Sequence, residues 1–132
     1  MTAPELDEAK YISFVSFRKD GTAVPSPVWC VPYDGGFAFT TEPQSWKVKR
    51  ILANPNVTIQ VCNYRGSVQS KTTVYAGTAV LLDANATAEV RDRVKRKYPI
   101  AYKLLIERSD RKAARRGEPL TVGTAAIKVT LQ

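Results

Sequence analysis

The sequence predicts a mainly β fold, an antiparallel sheet that closes into a small barrel, followed by a late pair of helices. Three observations carry that expectation. About six β-rich runs are separated by tight turn signals. The first turns, at Asp20-Gly21 and Asp34-Gly35-Gly36, are short enough to join strands only as hairpins, which makes neighbouring strands antiparallel. After Asp83 the pattern changes to helical spacing with heavy charge. The length of 132 residues suits one domain, 1–132, with a substantial core.

Tyr11 to Phe17 is aromatic and β-branched and reads as the first strand. The next run, about Thr22 to Tyr33, carries Pro25, Pro27 and Pro32. Proline gives nothing to a ladder, so this strand should contain an unpaired stretch or a bulge. Pro25 and Pro27 are two apart, which turns their bare nitrogens to the same edge. Phe37 to Thr40 is the following strand. Pro43 suits the first turn of a short helix, and Val48, Ile51 and Leu52 form its apolar stripe. Asn54-Pro55-Asn56 stops it. Val57 to Tyr64 alternates cleanly as a strand, and Arg65-Gly66-Ser67 turns the chain. Thr72 to Leu82 is another strand, with Gly77 as a bulge candidate. Asp83 or Asn85 would cap a helix over Thr87 to Tyr98. Pro99 interrupts it, and a second helix over Ile100 to Arg115 ends at Gly117. Val122 to Leu131 closes the chain as a strand. There is no internal repeat, linker or low-complexity segment.

The net charge is +8, with an isoelectric point near 9.7. Such a surface attracts polyanions: nucleic acid, an anionic membrane or a polyanionic small molecule. Much of the charge lies in Arg91 to Lys97 and in Arg108 to Arg116. The two cysteines, Cys30 and Cys62, form no C-x-x-C pair, so buried thiols in a reducing compartment are expected. The first eight residues are acidic and lack the apolar centre of a signal peptide, and no apolar run is long enough to span a bilayer. A soluble, cytoplasmic protein is the expectation. The sequence contains no histidine. That removes histidine-dependent serine and cysteine triads and histidine-rich zinc sites, and no metal site is predicted. An enzyme of this composition would rely on a bound cofactor.

Three regions are candidates for function, each with an ordinary alternative. From Thr40 to Arg50 a strand runs through a hydroxyl-rich turn into a helix with lysines near its start. Helix-start N–H groups with serine, threonine and lysine side chains can grip a phosphate. The alternative is a solvated amphipathic helix. The proline strand could offer a flat ledge, Val24-Pro25-Ser26-Pro27-Val28-Trp29, to a planar heterocycle, or could be an edge strand protected from aggregation. The late basic helices could contact nucleic acid, or could be solvated surface. Tyr98 and Tyr102 are too sparse for a single-strand stacking platform. Trp46 and Tyr64 could be core, interface or substrate wall.

The order and spacing of these motifs resemble a known family. Phe17-Arg18-Lys19-Asp20-Gly21-Thr22-Ala23-Val24-Pro25-Ser26-Pro27-Val28-Trp29 resembles its opening hairpin. Ser45-Trp46-Lys47-Val48-Lys49-Arg50-Ile51 resembles its cofactor-phosphate helix, and Asn56-Val57-Thr58-Ile59 and Cys62-Asn63-Tyr64-Arg65-Gly66 its next strand and turn. The family is the pyridoxamine-phosphate-oxidase-like flavin/deazaflavin oxidoreductase superfamily, and within it the small actinobacterial branch that uses the deazaflavin coenzyme F-420. The resemblance implies an FMN-binding-protein-like split β-barrel that forms a homodimer, with two cofactor sites at the subunit interface. Ser45, Lys47 and Lys49 would hold the cofactor phosphate. Val24, Pro25, Ser26, Pro27 and Val28 would run beside the ring system, with Thr40 and Thr41 beneath the linker. Cys62, Arg65 and Gly66 would lie near the site. Arg50 stands where many relatives have asparagine, which bears on contacts to the cofactor tail. The helical region from Thr87 to Arg116 exceeds that of minimal members.

The implied activity is hydride transfer between reduced F-420 and a small-molecule acceptor, with no catalytic residue assigned. F-420 carries a phosphate, a lactyl carboxylate and an oligoglutamate tail, which suits a +8 chain. FMN, with one phosphate, is the alternative cofactor. A non-catalytic carrier of F-420, FMN or haem is the alternative function, and a nucleic-acid-binding module the third.

Overall fold

A computed structural model describes residues 4–68, 72–104, 108–115 and 125–132 of the chain. A short helix α1 (Pro4–Glu8) precedes the strands β1 (Tyr11–Phe17), β2 (Ala23–Val28), β3 (Val31–Tyr33) and β4 (Gly36–Thr41). Helix α2 (Trp46–Ala53) leads to β5 (Asn56–Cys62) and β6 (Tyr75–Leu81). Helices α3 (Ala84–Lys97), α4 (Pro99–Tyr102) and α5 (Arg108–Arg115) come before β7 (Ala125–Leu131). All seven strands form one sheet in the order β2-β1-β5-β6-β7-β4-β3, with every pair antiparallel.

The two edge strands of that order, β2 and β3, are consecutive in the chain and separated only by Trp29 and Cys30. Three residue steps span at most about 11 Å. The two edges must therefore approach at this end, and the sheet curls into a half-barrel of the split-barrel kind. The proline-rich run accordingly shows the expected unpaired stretch, and it is here that the chain crosses from one edge to the other. The ladder with β1 runs through both Pro25 and Pro27. A proline can sit in a ladder only with its nitrogen on the free side, so both nitrogens face the open edge.

The turns follow their residues. Lys19-Asp20-Gly21 closes the first hairpin with Gly21 at φ +88°, and the Thr22 N–H donates to Asp20 Oδ1 at 2.9 Å. Asp34 and Gly35, both at positive φ between the paired Tyr33 and Gly36, make a two-residue hairpin loop.

The barrel interior is a core of Ile12, Phe14, Phe39, Val57, Ile59 and Ile127, all at most 2 % exposed, with Phe14 and Phe39 packed edge to face at 4.8 Å. Leu6 of α1 is fully buried in the same core. Tyr75 also donates its hydroxyl to the Glu5 carboxylate, so α1 is fastened over the barrel from both sides. A second cluster joins Val90 and Val94 of α3 and Tyr102 of α4 to Val31, Ala38 and Ala126 on the outside of the sheet.

Several expectations are corrected. Pro43 is not in the helix: the Ser45 N–H donates to the Glu42 carbonyl at 3.0 Å, and Pro43 takes the second position of that turn. Of the predicted apolar stripe, Val48 and Ile51 are buried, but Leu52 is 69 % exposed because it points off the face that packs on the sheet. Gly77 is no bulge: its register to β5 and β7 is unbroken, and a Cβ there would lie 2.6 Å from the Thr130 carbonyl oxygen. Close backbone approach, rather than an extra residue, requires the glycine. Asp83, not Asn85, caps α3, accepting from the Ala86 N–H at 2.8 Å, and the helix starts three residues earlier than expected. The predicted helix over Ile100 to Arg115 is described as α4 and α5. Its end at Gly117, the last arginine of the cluster, Arg116, and the strand start at Val122 lie outside the described residues.

Candidate cofactor groove

Helix α2 and the β1–β2 hairpin enclose an open groove of about 870 Å³. Among the described residues its walls are Phe17, Arg18, Lys19, Val24, Ser45, Trp46, Lys47, Lys49, Arg50 and Ala53. Five of these are cations and none is acidic. The topology explains the meeting. β1 ends at Phe17 beside the hairpin cations, and α2 packs across β1 and β6, which brings its first turns over that hairpin.

The start of α2 is built by its own sequence. Ser45 is the N-cap, accepting from the Val48 N–H, and it also accepts from Thr41 Oγ1 at 3.2 Å. With two bonds accepted, the Ser45 hydroxyl proton remains available to a ligand. Helix starts leave N–H groups without intrahelical partners, and Trp46 and Lys47, the first two residues of α2, line the groove. Lys47 is half-buried, and burial followed by the Arg50 charge holds its pKa below the usual lysine value. Burial and the charge of Arg18 likewise pull down the pKa of Arg50, which stays protonated as a guanidinium does. Arg50 Nε donates to Ser16 Oγ at 2.6 Å, and Ser16 is fully buried in β1. Lys49 lies over the Trp46 ring, 4.5 Å from its centroid, with Trp46 itself 70 % exposed.

The structure thus gathers Val24, Ser45, Lys47, Lys49 and Arg50 in one groove, with Thr41 bonded to its serine and Thr40 half-buried beside it on β4. The remaining residues trail away along β2. Pro25 and Pro27 are exposed, whereas Val24 and Ser26 are half-buried and Val28 is buried in the core. The apolar ledge is therefore the proline face alone, because strand alternation turns the other side chains inward. Ser26 Oγ is buried without a hydrogen-bond partner among the described residues. At the far end of β2 the turn after β5 arrives: Gly66, at φ +84°, would place a Cβ 3.5 Å from Pro27.

Cys62, Arg65 and Gly66 do not line the groove. Cys62 pairs with Tyr11 at the opposite end of β1, roughly 20 Å from Phe17 along the strand. It is buried, and burial raises its pKa. Arg65 is exposed and donates from Nε to the Tyr64 hydroxyl at 2.9 Å. Tyr64 and Cys62 instead line a second groove with Tyr11. Cys30 is buried with its pKa pushed up to about 12 by desolvation. Both cysteines are thus free, buried thiols, as expected. Sequence reasoning missed Phe17, Arg18 and Lys19 as parts of the groove, and Ser16 as the buried partner of Arg50 behind it. Arg18-Lys19 just before a hairpin turn was the available signal, but only the packing of α2 shows what the turn faces.

The late basic helices differ. Arg93 and Arg96 pair with Glu89 and Asp92 at 3.0 and 2.9 Å, Arg93 also donates to the Pro32 carbonyl, and Lys97 donates to the Cys30 carbonyl at 2.8 Å. No group of three or more potential metal ligands occurs among the described residues. No helix among them is long and apolar enough to cross a membrane.

The fold has known counterparts. The family profile of pyridoxamine 5'-phosphate oxidase matches residues 2–127. The chain belongs to that family and has a split β-barrel fold. No curated protein sequence matches it. Among solved structures, a conserved hypothetical protein of Mycobacterium tuberculosis is similar at a TM-score of 0.70 and 14% identity, covering 100% of this chain and 81% of the other. An F-420 reductase is similar at 0.60 and 19%, covering 100% and 94%. HutZ, the heme storage protein of Vibrio cholerae, is similar at 0.65 and 12%, covering 98% and 86%. At these identities the likeness is one of fold.

Proposed function

We propose that the protein binds coenzyme F-420 in the α2 groove and acts as an oxidoreductase on a small-molecule acceptor. The observation that carries this reading is a groove with five cations and no described carboxylate on its walls. Crowding like charges is costly unless an anion completes the site. The donor set suits a phosphate: the Ser45 hydroxyl, the open N–H groups at the start of α2, and the ammonium groups of Lys47 and Lys49. The proline face of β2 leads away from this end, where a ring system joined to the phosphate by a flexible linker would lie. Arg18, Lys19 and Arg50 supply charge beyond what one phosphate needs, which favours the polyanionic deazaflavin over FMN.

When bound, the deazaflavin supplies two-electron hydride chemistry. The chain's own part is to anchor the phosphate through Ser45, Lys47 and Lys49, to fix the ring along β2, and to exclude water. A homodimer with the site shared between subunits belongs to the same reading. The exposed Trp46 and Leu52 beside the groove favour a second copy there, and light scattering would report it.

A non-catalytic carrier is the second reading, since the groove chemistry speaks to binding and HutZ is a heme storage protein. Haem is the weaker cargo. The chain has no histidine, and both cysteines are buried thiols with raised pKa. The test is oxidation of reduced F-420 by the protein with a panel of quinones and activated alkenes. Catalysed turnover with any acceptor supports the oxidoreductase. Tight binding with no turnover leaves the carrier.

A further inference from the structure

We infer that Arg50 is a specificity-determining residue of the α2 groove, and that Ser16 is the positioning residue that aims it at a second anionic group of the ligand. The inference rests on the reading of the groove as a cofactor site. It adds which part of the ligand each cation meets.

Four observations lead there. Arg50 reaches from α2 to a fully buried serine 34 residues away in β1, at 2.6 Å. That bond uses the single N–H of Nε. The four N–H bonds of the two terminal nitrogens, a planar fork matched to paired oxygens, are left for another partner. No described carboxylate lines the groove, so the fork is not spent on a neighbour there. Finally, Lys47 and Arg50 are three apart on one helix, so they share a face but are offset by about 4.5 Å along the axis. A phosphate held at the start of α2 by Ser45 and Lys47 therefore leaves Arg50 one turn further on. There its fork, held back on Ser16, would meet a second anionic group of the ligand.

A group with paired oxygens beyond the phosphate is either a carboxylate of an F-420 tail or a second phosphate. FMN has neither. The arrangement thus selects ligands that carry two separated anions, and Ser16 contributes by fixing the fork, not by touching the ligand.

The test measures dissociation constants by fluorescence for F-420 with its lactyl and glutamate tail, F-420 stripped of both lactate and glutamates down to the bare phosphate, FMN and FAD. Each is titrated into the wild-type chain, Ser16→Ala, Arg50→Lys and Lys47→Ala. The wild type is expected to favour tailed over stripped F-420 by about tenfold, the scale of one charge-assisted hydrogen-bonded contact. Ser16→Ala and Arg50→Lys should lose most of that preference, weakening tailed F-420 more than stripped F-420. Lys47→Ala should weaken both forms in proportion. A preference for FAD over FMN that these two variants abolish would support the fork and assign it to a second phosphate. Equal weakening of every ligand by Ser16→Ala and Arg50→Lys, or an unchanged preference, overturns the inference. Binding of no ligand by the wild type overturns the cofactor reading itself, and this one with it. Because the readout is a ratio within one variant, a general loss of stability does not imitate it.

Discussion

The α2 end of the barrel and the outer face of α3 are both strongly basic, yet their cations are treated in opposite ways. Arg93, Arg96 and Lys97 have partners inside the protein: two carboxylates one helical turn away, and the carbonyls of Pro32 and Cys30. Arg18, Lys19, Lys47, Lys49 and Arg50 face one another around a groove, and among the described residues none forms an ion pair. Net charge alone would have pointed to either region. Asp20 and Glu42 lie near enough to act on Arg18 and Lys47 but pair with neither, so the difference teaches that a binding site is marked by clustered cations that no carboxylate pairs. It also disfavours nucleic acid as the partner of α3, whose charge is largely answered in place.

Three experiments press on that contrast. The largest effect is expected from removing the groove lysines. Lys47→Ala with Lys49→Ala should weaken F-420 by about a hundredfold, because each charge-assisted contact is worth about 1.5–3 kcal/mol. Calorimetric titration gives the number, and an unchanged affinity would mean that the phosphate sits elsewhere. A smaller effect, on stability and not on binding, is expected from Arg93→Ala with Arg96→Ala. Exposed pairs contribute up to about 1 kcal/mol each, so a melting temperature lower by a few degrees with intact F-420 affinity is the expected outcome. Loss of affinity in this variant would erase the distinction between the two regions.

The smallest effect concerns Lys47 alone. Its folded pKa lies below the usual lysine value, so the native state holds this proton less firmly than the unfolded chain does. Stability from this group therefore rises with pH from the lowered value up to about 10.4, the ordinary lysine value. Below that window the buried charge is a standing cost. Lys47→Met should accordingly melt slightly higher than wild type at neutral pH, with the gap closing as the pH approaches 10. A variant less stable at neutral pH would show that Lys47 has a stabilising partner in the unliganded protein.

The sequence made the local parts of this molecule legible and left the long-range ones hidden. Hairpin turns at Asp20-Gly21 and Asp34-Gly35 were readable because positive φ restricts which residues fit. Ser45 and its lysines were readable because helix starts have a fixed grammar of donors. The split of the proline run into β2 and β3 was half readable: the missing N–H groups announced a break, but not that the chain there passes between opposite edges of the sheet. Ser16 could not have been found at all. A serine in an alternating strand looks like any other, and only the curl of the sheet under α2 brings it to Arg50. Leu52 was misjudged for a related reason, since a two-turn helix has room for one buried face, and spacing cannot say where that face ends.

The most direct test of the groove is a fluorescence titration of the wild-type protein with oxidised F-420 and, separately, with FMN. Binding of F-420 at about micromolar concentration or below, weakened by added salt and tighter than FMN, is the expected result. Binding of neither ligand in that range would contradict the assignment of the α2 groove as a cofactor site.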